Sequence, residues 1–257
     1  VTGPAGVFIE GLSWDEVEQA LPGRPVALLP HGARCKEHGR HLPLNNDYLM
    51  AEHLAAKVVP QCPVLGLPTL GYGFYPAFLE YPGSASIRAA TSCESFVDIA
   101  RSFAGYGLRK LYVLNTGIST ERPLRAARRI LAEEGLCLEY TRLGEALDPT
   151  AEGLEEQRLG SHADEIETSM MLLIAPNQVR MERAVPELPE RNRPGPFTRD
   201  PLAERGLYSA SGAFGDPTLA SLEKGRVLVA GLVAHIVAEV RAFAAEDFVP
   251  RPLEAQA

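Results

Sequence analysis

From Lys36 to Asp47 the chain reads KEHGRHLPLNND, with two histidines, one acid and two bases in its first six residues and an aspartate at its end. Glu37, His38 and Asp47 are donors of the kinds a divalent metal takes. Such a site needs about three or four His, Asp, Glu or Cys donors converging from different segments. The same loop, with Lys36, would also serve metal-free acid–base chemistry. The competing reading is a polar strand end where His41 caps backbone groups and Lys36 pairs with Glu37 or Asp47. A second set lies in SHADEIETS, Ser161 to Ser169. His162 and Glu167 are five apart, which is not a same-face helical spacing. At a first turn, however, His162 can turn back toward a cleft that Glu167 enters from the next turn. Glu167 stands among Ile166, Met170 and Met171, where partial burial suits a carboxyl group to proton transfer. Asp164 and Glu165 suit the positive end of a helix.

Other residues carry weaker signals. His235 with Glu239 one turn on reads as a core or interface pair, and His53 as structural. Cys35 beside Lys36 is either an activated thiol or a buried strand-end thiol. Asn115 and Ser119, in NTGIST, are candidate substrate contacts. Tyr72, Phe74, Tyr75, Phe78 and Tyr81 form either an aromatic pocket rim or an oligomer contact.

These residues need elements to position them. Pro25 to Pro30, Pro63 to Leu67, Lys110 to Leu114 and Leu136 to Thr141 read as strands. Helices are expected over Asn46 to Val59, Ser92 to Tyr106 and Pro123 to Glu134, the last with Pro in its first turn and Gly135 just past its end. The alternation argues for a largely parallel sheet covered by helices on both faces. An irregular segment is expected over Gly144 to Gly160. A helix opens at Ser161, with Asp164 completing a capping box. An extended loop with Pro186, Pro189, Pro194 and Pro196 follows, then a long helix over Pro217 to Phe243 capped by Asp216. One α/β domain over residues 1–257 is the economical reading. Ligands of such sheets sit outside the carboxyl ends of the strands, where the Lys36–Asp47 and Asn115–Thr120 stretches both fall.

The chain has 257 residues and a net charge of −8. That balance argues against a nucleic-acid surface, and the arginines from Arg122 to Arg129 read as a solvated helix face. No membrane span is expected, nor a signal peptide. The scattered Cys35, Cys62, Cys93 and Cys137 suit free thiols in a cytoplasm.

Several stretches together resemble the creatininase (creatinine amidohydrolase) family. HGRHLPLNND is similar to its HGPHLPLxTD signature, and HADEIETSMML to its HAGExETSLML. GDPTLASLEKG, YGFYPAFLEYPGSASIR and LSWDEVEQAL resemble further family segments, in the same order from about Leu12 to Arg241. The resemblance implies a three-layer α/β/α sandwich with a mainly parallel sheet, a homo-oligomer, often a hexamer, and a small-molecule substrate. It implies hydrolysis of cyclic or unusual amides at a two-metal centre. By position, His38 and Asp47 match two ligands, and His162 and Glu167 match the active-site pair. The chain departs from the pattern where it has NTGIST for NGHGGN or NGHxEN, which puts Gly117 and Ser119 at ligand positions. It also has KEHG for EQHG, which puts Lys36 at the ligand glutamate unless Glu37 takes that role.

Two ions need about six protein donations, and the matched positions fall short. The expectation is at most one divalent metal (Zn or Mn), held by Glu37, His38 and Asp47, or none, with Lys36 replacing its charge. The reading is an amidohydrolase-like enzyme for a C–N bond of a small polar or cyclic amide, with Glu167, His162 and Lys36 as catalytic groups and Tyr72, Tyr75, Asn115 and Ser119 as substrate contacts. The alternatives are a metal-free descendant doing lactam opening, ring closure or dehydration, and a non-catalytic binder or structural subunit.

Overall fold

The computed structural model describes residues 4–188 and 195–247. Its main sheet is parallel throughout: β1 (Val7–Phe8), β2 (Val26–His31), β3 (Val64–Gly66), β4 (Lys110–Asn115) and β5 (Cys137–Tyr140), in the order β1-β3-β2-β4-β5. β2 and β4 are buried along their whole length, which is why they read as apolar runs without polar alternation. The helices are α1 (Trp14–Ala20), α2 (Asn46–Val58), α3 (Ala89–Ala104), α4 (Glu121–Glu133), α5 (Leu143–Ala151), α6 (Glu165–Ile174) and α7 (Leu222–Ala245).

Successive strand residues face opposite sides of a sheet, and two cores result. Val26, Leu28, Val64, Tyr112 and Leu114 pack with α2, α5, α6 and α7. Ala27, Leu29, Leu65, Leu111 and Val113 pack with α1, α3 and α4. The layers are therefore α/β/α. The β2–α2–β3 crossover runs one way, and β3–α3–β4 returns past β2 with its helix on the other face. The strand order thus reverses between β2 and β4, and a crevice opens beyond their carboxyl ends.

Four expectations change. Residues 143–151 form α5 instead of an irregular segment, because Leu143, Ala146 and Leu147 lie at helical spacing and pack into the core that α7 shares. α6 starts at Glu165, not Ser161. Asp164 is its cap, with Oδ1 accepting the N–H groups of Ile166 and Glu167 at 3.0 Å each. Residues 161 and 162 are held elsewhere: Phe214 N donates to His162 O at 2.8 Å. The final helix is broken at its start. Asp216 caps a single 3-10 turn, Pro217–Leu219, and Ser221 caps α7 through its Oγ. The expected loop before it holds a short parallel pair, β6 (Phe197–Thr198) with β7 (Leu207–Tyr208); Pro189 and Pro194 lie outside the described residues. By length and composition α7 alone among the described helices could cross a membrane, with mean hydropathy 1.8. Leu228, Leu232, Ile236 and Val240 of α7 instead lie fully buried in the core.

Candidate functional site

The loop after β2 is pinned to itself and to α2: Lys36 N donates to Leu44 O at 3.0 Å, and Tyr48 N to Ala33 O at 3.1 Å. This brings Lys36 and His38 onto Asp47, in the first turn of α2. Lys36 Nζ lies 2.7 Å from Asp47 Oδ2, with side chains 7% and 0% exposed. His38 Nε2 lies 2.7 Å from Asp47 Oδ1, and its Nδ1 lies 3.0 Å from Lys36 O. Both ring nitrogens of His38 thus face oxygens, and a neutral imidazole can donate to only one of them. Burial opposes the charge on Asp47, but His38 and Lys36 outweigh it and hold the carboxyl well below the usual range. Burial likewise opposes the Lys36 ammonium. The charges of Asp47, Glu167 and Glu37 overcome it and raise the lysine above its ordinary value.

The start of α6 faces this group. Ala163, with φ 47°, is the one non-glycine residue with positive φ among those described. That conformation costs of order 1–3 kcal/mol and often marks a functional site. It turns the chain between His162 and the cap Asp164, so the imidazole points back into the crevice. Ala163 N donates to Glu167 Oε2 at 2.6 Å, and the same oxygen lies 3.8 Å from His162 Nδ1. On its other side His162 Nε2 meets Glu37 O at 3.1 Å and Glu37 Oε1 at 3.2 Å. Burial lowers the pKa of His162, but the hydrogen bond to Glu37 and the charges of Glu37 and Glu167 raise it overall. Asp164 is pushed up to about 6, mainly by burial and then by Glu167. Phe78 tilts over the His162 ring at 4.4 Å, with Phe197 at 5.3 Å.

The structure brings Lys36, Glu37, His38, Asp47, His162 and Glu167 together, but in two groups. Glu37 is directed to His162 and Lys36 to Asp47. Tyr75 is buried; its OH lies 3.4 Å from His31 Nε2, and burial, then Asp47, pushes its pKa well above 10. Tyr72 is 52% exposed, and Phe74 lies beneath Arg122. Asn115 turns inward. Its Nδ2 donates to Gly117 O at 2.8 Å, and its Oδ1 accepts from Thr120 Oγ1. Ser119 is half-buried. Cys35 is a half-buried free thiol. His235 pairs with Glu239 at 3.4 Å on α7, and His53 is half-buried on α2; neither belongs to the cluster. His41 bonds Thr168 Oγ1 at 2.8 Å, and burial lowers its pKa to about 4.

Sequence reasoning missed His31 and Gly212. His31 ends β2, fully buried, with Nδ1 2.9 Å from Leu70 O, and burial lowers its pKa to about 4. An imidazole on the last residue of a buried strand, at the carboxyl edge, was the available signal. Gly212, at φ +95°, lies against Glu37; a Cβ there would clash with Glu37 Oε1. Nothing local in the sequence marks that contact.

Two metal ions do not fit these residues. Both oxygens of Asp47 are taken, one by an ammonium. The Asn115–Thr120 loop offers no imidazole or carboxylate and closes its polar groups on itself. One ion has a donor set: ligand atoms of His38, His162 and Glu167 lie within 4.8 Å of one another, and Glu37 Oε2 is buried without a hydrogen-bond partner, as is Asp47 Oδ2, which meets Lys36 Nζ as an ion pair.

The chain is similar to several known proteins. A family model described as creatinine amidohydrolase matches residues 10–240. The creatinine amidohydrolase of Pseudomonas putida is 28% identical over 95% of this chain and 98% of its own. The mycofactocin precursor peptide peptidase of Mycolicibacterium smegmatis is 28% identical over 88% of both. A mutant creatininase solved in a Zn-Zn form superposes with a TM-score of 0.74, at 25% identity over 94% of this chain and 99% of that one.

Proposed function

The chain belongs to the creatininase family, and from that membership we propose an amidohydrolase-like enzyme that cleaves a C–N bond of a small polar or cyclic amide, within a single creatininase-like domain over residues 1–257. One observation carries the reading: the Glu167 carboxylate, fixed by the Ala163 N–H, sits beside His162 and close enough to Lys36 for the two charges to act on each other. Glu167 takes a proton from the attacking water and returns it to the leaving nitrogen. The His162 imidazole, oriented by Glu37, donates to the developing oxyanion. The Lys36 ammonium, held by Asp47, adds positive charge where negative charge develops. Phe78 and Tyr75 exclude water from one wall, and Ser119 is the half-buried polar group left at the β4 end for substrate contact.

A single divalent ion, zinc or manganese, held by His38, His162 and Glu167, would supply Lewis acidity to the substrate carbonyl in place of the proton-transfer role of Glu167 and the donor role of His162. The second reading is metal-free lactam opening, ring closure or dehydration by Lys36, Glu37, His38 and Glu167; the direct His38–Asp47 bond at 2.7 Å favours it. The substrate is a small molecule, the assembly a homo-oligomer of hexamer type, and the compartment the cytoplasm.

The test is Glu167→Gln, whose amide oxygen still accepts from Ala163. Turnover of the best substrate from a panel of lactams and cyclic ureides falls by roughly 100-fold or more while the melting temperature holds. Full turnover in the variant sinks this mechanism.

A further inference from the structure

We propose that the Lys36 ammonium is a covalently attached replacement for one cation of a two-ion centre: Asp47 is neutralised by the chain itself and is not a metal ligand in this protein. The inference deepens the function proposed above and takes from it only the comparison with a two-ion relative. Asp47 is the carboxylate in the family's aspartate position, and both of its oxygens are committed, Oδ2 to Lys36 Nζ and Oδ1 to His38 Nε2, at 2.7 Å each. The lysine is held at both ends. Its backbone N–H is fixed on Leu44 O, and its ammonium lies 5.0 Å from the centre of the Phe78 ring and 5.9 Å from that of Tyr75, where aromatic faces favour a cation.

A bound ion at the Lys36 position would need further donors from the end of β4. There Asn115, Gly117 and Thr120 bond one another, and Thr116 Oγ1 donates to Asp47 O at 2.9 Å. The loop that would complete a centre instead braces the backbone of the carboxylate. A +1 ammonium polarises a substrate less than a divalent ion does, but it is not lost to a chelator. What remains for a metal is the donor set of His38, His162 and Glu167, for which a ring nitrogen of His38 would have to leave Asp47 Oδ1 or Lys36 O, so the capacity of the pocket is one ion at most.

The test counts metal and does not require turnover. Full-length protein purified without chelator is titrated calorimetrically with zinc and with manganese, and its metal content is measured by mass spectrometry after desalting. The expected result is no more than one ion per chain at saturation. Asp47→Asn keeps the wild-type count at saturation, with affinity reduced by no more than the roughly 10–100-fold expected when a ligand histidine loses its partner. Lys36→Glu, which places a carboxylate where the ammonium was, gains an ion or binds zinc tighter by roughly tenfold or more. Two ions per chain in the wild type, or loss of the bound ion in Asp47→Asn, overturns the inference, and so does a folded Lys36→Glu that binds metal as the wild type does. If Lys36→Glu does not fold, the wild-type count and Asp47→Asn decide. A protein with the expected count but no activity toward amides would end the hydrolase reading and leave this one standing.

Discussion

Replacing Lys36 with methionine keeps much of the side-chain volume and removes the ammonium. An exposed ion pair contributes about 0–1 kcal/mol. Breaking a buried one costs about 3–5 kcal/mol, because the partner's charge is left without compensation. The Lys36–Asp47 pair belongs to the second class, with side chains 7% and 0% exposed. Asp47 keeps its bond to His38, which places the expected loss at the lower end, about 3 kcal/mol. Asp47→Asn strands the ammonium, but Glu37 and Glu167 still attract it. In the double variant both charges are gone, so the two losses do not add; the coupling is about 2–3 kcal/mol. Urea unfolding of the four proteins at pH 7 measures it, provided the slopes agree. The pH dependence adds a second signature. The folded pKa of Asp47 lies below its unfolded value, so its contribution is present above about pH 4 and is lost as the pH falls through the folded value. Lys36→Met raises that folded pKa, so the deficit of the variant is constant from neutral down to about pH 4 and narrows only at lower pH, between the folded pKa of the variant and that of the wild type. A coupling below about 0.5 kcal/mol, or a deficit that does not change with pH, would refute the buried-pair argument.

Gly212→Ala is expected to lose about 1–3 kcal/mol, as a side chain at φ +95° is strained. It also pushes Glu37 off His162, so activity falls more than stability alone explains; melting and turnover measured together separate the two. Glu187 accepts from the Ser211 and Ala210 N–H groups at 2.8 and 2.5 Å and from Ser209 Oγ at 2.9 Å, and so ties down the loop that carries Gly212. Burial opposes its charge, but the bonds from Ser211, Ala210 and Ser209 lower its pKa. Glu187→Gln therefore costs about 1–3 kcal/mol at neutral pH, and the cost fades as the pH falls below the usual glutamate range; urea midpoints at pH 7 and pH 4 check this.

How far the sequence foretold the structure depended on which interactions were local. The strands β2 and β4 were legible because burial on both faces makes them apolar throughout. The start of α6 was misplaced because Ser161 and Asp164 both look like caps. The choice between them is made by the pairing of His162 with Phe214, more than 50 residues away. α5 was hidden by Gly144 and Pro149, whose poor helical propensity is overridden by packing into the core around α7. In the site, KEHG and HADEIETS were visible as two polar sets. The partner of Asp47 was not: Lys36 and Glu37 are neighbours in a loop, and only its three-dimensional path sends one to Asp47 and the other to His162. Tyr72 and Tyr75 looked equivalent, yet only Tyr75 is buried. His31 and Gly212 matter through contacts distant in the sequence, which no local pattern encodes.

The most direct test of the whole account is product analysis with the wild-type protein as purified. It is incubated with the lactam and cyclic ureide panel, with and without added zinc or manganese, and followed by mass spectrometry. The account predicts that at least one member gains the mass of one water through an opened C–N bond, at a rate that disappears in Glu167→Gln. A panel that returns unchanged under every metal condition, or hydrolysis that persists undiminished in Glu167→Gln, would contradict it.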